Sequence, residues 1–225
     1  LYKKELNQLL QLGLPSSLQM FLEVSFFTFA IWVCGFLSKD AQAANQIALN
    51  LSSMTFMVAM GLSVAATIRV GNQKGFKAFG ELKRIALSVF LLTLLLDVVF
   101  AGVFVACNEW LPWLYLDSAT GLDTFAVAEL AGSLLFIAAF FQIFDGAQVV
   151  ALGSLRGLQD VRIPTWITFL AYVLIGVPVM LYLSVEAAMG ARGVWIGLCL
   201  GLVVSSLLLY LRFRYLSNKL IRTNG

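Results

Sequence analysis

The chain has 225 residues, of which 60% are apolar and only 12% charged, with a net charge of +3 and no histidine. A soluble domain carries roughly twice that charged fraction and about three-quarters of that apolar fraction, so a water-soluble fold is excluded. Lack of histidine removes the commonest general base, metal ligand and pH switch. Nucleotide-loop, nucleophile-elbow and zinc-protease signatures are absent too, so the expectation is a protein that is not an enzyme and uses no cofactor.

A helix needs about 20 mostly apolar residues to cross the hydrocarbon core. Six stretches qualify, at about 11–36, 42–68, 85–107, 124–152, 164–185 and 193–211. Runs this continuous do not fit barrel strands, which alternate over about ten residues. The fold class is therefore all-α: a polytopic membrane protein in which 1–225 forms a single six-helix transmembrane bundle.

In span one, Glu23 sits well inside the membrane, where a carboxylate costs roughly 2.5–3.5 kcal/mol. Gln19, Phe26 and Phe27 lie at i−4, i+3 and i+4 and share its helix face. Span two carries Asn45, Gln46, Asn50, Ser53 and Thr55. Of these, Gln46, Asn50 and Ser53 follow i, i+4, i+7 on one face, which fits either interhelical hydrogen bonding or the lining of a cavity. Met54, Met57 and Met60 read as core filler. The Asn50-Leu51-Ser52 sequon lies within a span and is not expected to be glycosylated.

Span three holds Asp97 amid leucine and valine, with only Thr93 one turn away, and a packing role is expected for it. Pro112 and a Gly121-Leu122-Asp123 break punctuate the following connection. Glu129 of span four is placed near the outer interface. Asp145 lies deeper, flanked by Gln142 and Gln148 at i−3 and i+3, with Phe141 at i−4. Pro164 occupies the first turn of span five, where a missing N–H costs nothing, and Pro178 predicts a kink farther along. Span six shows Gly193, Gly197, Gly201 and Ser205 at four-residue spacing, a pattern for close helix packing. Cys34, Cys107 and Cys199 fall in apolar stretches and read as small buried hydrophobes.

Thirteen of the fifteen Lys and Arg residues fall on one side: Lys3 and Lys4, the connection after span two, Arg156 and Arg162, and the tail from Arg212. The opposite side keeps Lys39 and Arg192, together with Asp40, Glu109, Asp117, Asp123 and Glu186. The positive-inside rule then puts both termini in the cytoplasm. The charges alternate with spans, so they are topogenic and no nucleic-acid partner is expected. Glu23 and Asp145 each head a polar stripe edged with aromatics. Such a stripe suits a wet cavity holding a proton, a metal cation or a cationic solute.

Four segments carry a family resemblance: LGLPSSLQMFLEVSFF (12–27), AANQIALN (43–50), MGLSVAATIRVGNQKG (60–75) and LRGLQDVRIP (155–164). Together they resemble the multidrug and toxic compound extrusion (MATE) family, C-terminal half. Asn45 stands where many members have His, and Gln159 and Val161 replace the usual Gly and Thr. The resemblance implies one half of a twelve-helix transporter, whose N-terminal six-helix bundle, or a second copy of this chain, lies outside this sequence. It further implies a secondary active antiporter in the cytoplasmic (plasma) membrane, surrounded by lipids. Such an antiporter exports cationic or amphipathic organic compounds in exchange for Na⁺ or H⁺ by alternating access. By the same resemblance Glu23 and Asp145 serve cation coupling, with Na⁺ as a possible ligand. Gln19, Phe26, Phe27, Gln46, Asn50, Ser53, Phe141, Gln142 and Gln148 are the candidates for lining the substrate cavity. Two alternatives stand beside it: a lipid-linked oligosaccharide flippase of the same superfamily and a non-transporting membrane assembly subunit.

Overall fold

A computed structural model describes residues 2–116 and 123–224, so Asp117 and the Gly121-Leu122 break lie outside the described residues. Among these residues there is no strand, and six helical rods are long and apolar enough to cross a membrane. They are α1 (Tyr2–Leu37), α2 (Lys39–Gly75), α3 (Phe79–Ala106), α4 (Thr124–Gly157), a composite fifth rod and α7 (Ala191–Asn224). The composite rod runs from α5 (Arg162–Leu170) through a wide π turn (Ala171–Gly176) to α6 (Val177–Leu181) and a second wide turn (Tyr182–Glu186).

Several rods outrun the spans expected from hydropathy. A helix of 36 residues, the length of α1, is about 54 Å long at 1.5 Å per residue, against a hydrocarbon core of about 30 Å. The excess on α1, α2 and α7 carries Lys3, Lys74 and Lys219 at one end of the bundle. Ties between elements hold that end together. Lys74 Nζ donates to the Leu158 carbonyl at 2.7 Å, and Arg212 Nε meets Asp160 Oδ2 at 2.7 Å. At the helix starts, Ser38 and Asp123 accept from the backbone N–H of Ala41 and Ala126 and cap α2 and α4, as short polar side chains do at that position.

Pro178 acts more broadly than a single kink. A proline inside a helix has no N–H and crowds the carbonyl four residues back, which accounts for the wide turn ahead of α6; a second wide turn follows α6. Val177 N–H thus reaches Tyr172 O, and Ala187 N–H reaches Tyr182 O.

At the centre of the bundle, α4 packs against α2, α3 and α7. Half of its most apolar stretch is buried, against 17% for α3, which presents Leu87, Leu91, Leu95 and Val98 outward as a lipid-facing helix. Small residues and hydroxyls make the α2–α4 seam tight. Ser63 Oγ donates to Val149 O at 2.7 Å, and Thr67 Oγ1 to Gly153 O at 2.9 Å. A Cβ on Gly157 would lie 2.7 Å from Thr67 O, so only glycine fits there.

The glycine stripe of α7 packs as expected. A Cβ on Gly197 would stand 2.5 Å from Met180 Cα, and one on Gly193 would meet the Leu183 backbone at 2.5 Å. The methionine expectation is overturned for two residues. Met54 and Met57 are 66% and 67% exposed, because α2 turns its Asn45, Ala48 and Ser52 side toward the bundle and leaves the methionines outside. Cys34 is buried, Cys107 and Cys199 are half-buried, and all three are free thiols.

Candidate functional site

Three helices, α1, α2 and α4, surround a cavity of about 320 Å³. From α1 come Met20, Glu23, Val24, Phe27 and Ile31. The α2 wall contributes Gln46, Asn50 and Ser53 together with Leu49, Ser52 and Phe56, and α4 contributes Phe141 and Asp145. The two acids singled out in the sequence thus reach one chamber from different helices. No Lys or Arg is among the lining residues.

The i, i+4, i+7 face of α2 is a cavity wall. Its interhelical hydrogen bonding falls to neighbours on another face: Trp195 Nε1 donates to Asn45 Oδ1 at 2.9 Å, with both side chains fully buried. On α1 and α4 the expected stripes divide. Phe27 and Phe141 reach the chamber, where they meet edge to face at 5.9 Å. Gln19, Phe26, Gln142 and Gln148 are not on its wall but in the protein interior, at 4% exposure or less. Residues three or four apart on a helix share a broad face, and here the edge of each face is taken up by a neighbouring helix.

Those four residues instead support the acids from behind. Gln148 Nε2 lies 2.5 Å from the Tyr172 hydroxyl and 3.4 Å from Glu23 Oε1. Gln19 Nε2 faces Glu23 Oε2 at 3.4 Å, and its Oε1 accepts from Arg156 Nη2 at 2.6 Å. Phe26 stacks on the Tyr172 ring at 4.4 Å and 11°. Gln142 Nε2 donates to the Asp97 carbonyl at 3.3 Å. Asp97 packs its carboxylate into the notch that Gly146 leaves, where any Cβ would collide with it. It lies next to Asp145, with Oδ2 buried and without a hydrogen-bond partner among the described residues.

Tyr172 and Arg156 were not among the expected site residues. Tyr172 arrives from the fifth rod with no local polar pattern to mark it. Arg156 carried a signal, since it lies about two helical turns beyond Gln148 and three beyond Asp145 on the same face of α4, but its charge reads equally well as topogenic.

A family model described as MatE matches residues 15–181. The chain belongs to the MatE family. A probable multidrug resistance protein NorM from Xanthomonas axonopodis pv. citri is 34% identical over 220 residues, covering 98% of this chain and 47% of its own length. The multidrug resistance protein MdtK of Yersinia pseudotuberculosis is 38% identical over 218 residues, covering 95% and 46%. The crystal structure of the eukaryotic MATE transporter AtDTX14 matches this MatE chain with a TM-score of 0.85 at 21% identity, over 99% of the chain and 50% of that structure. An outward-facing MATE family transporter of the MOP superfamily matches with a TM-score of 0.83 at 19% identity, over 95% and 47%. At such identities the solved structures speak for the fold alone. The chain spans about half the length of the relatives it matches. MatE membership and the six long apolar rods together make it a multi-pass membrane protein.

Proposed function

We propose that this chain forms one half of a cation-coupled exporter of cationic or amphipathic organic compounds, with Glu23 and Asp145 as its coupling carboxylates. The cavity carries the proposal: two acids from separate helices open on one chamber whose remaining lining is aromatic, aliphatic, hydroxyl or amide. Aromatic faces and carboxylates together favour a solute that is both cationic and apolar. The names of the relatives, multidrug resistance proteins, support the same substrate class. A pyrophosphate-linked lipid would meet two anions and no cation here, which disfavours a flippase. A purely structural subunit leaves both carboxylates without a purpose.

In this mechanism a second six-helix bundle, or a second copy of this chain, closes the open side of the chamber. The two bundles then rock between inward-open and outward-open arrangements around the site. Na⁺ or H⁺ entering from outside neutralises Glu23 or Asp145 and lowers the hold on the organic cation. A ligand shifts such an equilibrium only by its differential affinity for the two states. The driving force suffices: one charge crossing 100 mV gains about 2.3 kcal/mol, roughly a fifty-fold concentration ratio at about 1.4 kcal/mol per decade. Both termini face the cytoplasm in this arrangement, by the positive-inside distribution.

The test is cation-driven transport of a fluorescent cationic dye into inside-out vesicles bearing the complete transporter. Glu23→Gln with Asp145→Asn is expected to abolish the gradient-dependent component at unchanged protein abundance. Undiminished transport at normal abundance would overturn the coupling role. Imposing Na⁺ and proton gradients separately identifies the ion.

A further inference from the structure

Glu23 divides two spaces. On one side lies the open chamber, and on the other a small gap of about 20 Å³ that Glu23 shares with Met20, Met60 and Arg156, large enough for about one water. Arg156 stands near the basic end of α4, half-buried. An arginine there that only marked topology would snorkel, with its guanidinium turned out to the interface. This one turns inward. Its Nη2 donates at 2.6 Å to Oε1 of Gln19, a side chain only 2% exposed. The other end of the same amide, Nε2, faces Glu23 Oε2 at 3.4 Å. A primary amide has one acceptor end and one donor end, and here the acceptor end holds the cation and the donor end faces the carboxylate. Gln19 is thus a neutral spacer that sets Arg156 near Glu23 without a direct ion pair.

We propose, taking Glu23 as a coupling carboxylate as above, that Arg156 is a tethered counter-cation that offsets Glu23 when the coupling ion is absent and competes with that ion when it arrives. Arg156 is a positioning residue in this scheme, acting on the ion through Glu23. The other charged or titratable groups near Glu23 among the described residues are Asp145 on α4 and the Tyr172 hydroxyl, with Asp97 on α3 beyond them against Asp145, while α2 brings amides and hydroxyls. Among the described residues Arg156 is therefore the one cationic group beside Glu23, and it weakens ion binding enough for release.

The test titrates the purified complete transporter with Na⁺ at fixed pH, and with protons at fixed ionic strength, following tryptophan fluorescence so that ion binding is read apart from transport. Arg156→Gln is expected to lower half-saturation for the coupling ion about tenfold, as for removal of a nearby charge at an effective dielectric of about 20. For protons this is a midpoint about one pH unit higher. Arg156→Lys, which keeps the charge, should return half-saturation to within about threefold of the unsubstituted protein. Gln19→Met keeps the arginine but removes the spacer, and should shift binding in the same direction by about threefold; it serves also if Arg156→Gln does not fold. Adding Arg156→Gln to Glu23→Gln should produce less than about a twofold further change, since coupled residues are not additive. Unchanged half-saturation in Arg156→Gln, a lysine variant that behaves like the glutamine variant, or a full shift persisting without Glu23 would each overturn the proposal. If Glu23→Gln itself leaves ion binding unaltered, the coupling role of Glu23 fails instead, a distinct result.

Discussion

The chamber wall and the seam between the fifth rod and α7 are both built from small and polar residues, yet they use them in opposite ways. In the seam, Gly193 and Gly197 give up their side-chain space to the backbones of Leu183 and Met180, and nothing is left for a solute. On the wall, Gln46, Asn50 and Ser53 project into a cavity, with the support of Glu23 set behind them in Gln19 and Gln148. A small or polar side chain in a membrane helix is therefore open to a solute only where no neighbouring helix has already taken its space.

The sharpest way to break this contrast is to fill the seam. Gly197→Leu must force Met180 away, and overpacking of this kind costs typically 1–3 kcal/mol and occasionally more. Membrane abundance of the variant should collapse, as judged by quantitative blotting. Gly61→Leu, at a position where a Cβ would meet no atom within 4 Å, should leave abundance unaltered. Next comes the buried pair Trp195 and Asn45. Trp195→Phe strands the Asn45 carbonyl oxygen, at a cost of about 1–3 kcal/mol, visible as a lower thermal midpoint in detergent. Adding Asn45→Leu should recover part of that loss, because removing both partners is gentler than removing one.

Smaller effects are expected in the α2–α4 seam. Ser63→Ala and Thr67→Val each remove one interhelical hydrogen bond, worth about 0.6 kcal/mol on average in membranes. Smallest for stability is Asn50→Ala on the chamber wall, within about 0.5 kcal/mol of the unsubstituted protein. Its effect should appear instead in the relative transport rates of two dyes. A large stability loss for Asn50→Ala would place it with the seam residues and dissolve the distinction.

Much of the fold was legible in the sequence because the bilayer imposes it: apolar runs of sufficient length, basic residues on alternate connections and a four-residue glycine spacing each have one physical meaning. The pair Glu23 and Asp145 was legible for the same reason, since a buried carboxylate is expensive enough to be conspicuous. What the sequence did not settle is rotation. Helical spacing says that Gln148 shares a broad face with Asp145, but which part of that face meets the chamber depends on where Tyr172 arrives from a distant rod. Met54 and Met57 were misjudged on the same ground, because hydropathy cannot separate an inward methionine from one on the bundle's outer surface. Arg156 was hidden by its usefulness as a topogenic charge.

Asp97 and Asp145 place the same side chain within α3 and α4, but the two helices meet the membrane on different terms. The lipid-facing α3 surrounds its one deep acid with Leu, Val and Phe, each of which favours insertion by about 0.3–0.6 kcal/mol and together outweighs it. The central α4 spreads Glu129, Gln142, Asp145 and Gln148 along its length, a heavier burden for a helix leaving the translocation channel alone. In the assembled bundle α2 and α3 meet that burden from outside, since Ser63 and Thr67 bond the α4 carbonyls of Val149 and Gly153 and the Asp97 carbonyl accepts from Gln142. The polar centre of this bundle is thus a property of the assembly and not of α4 alone.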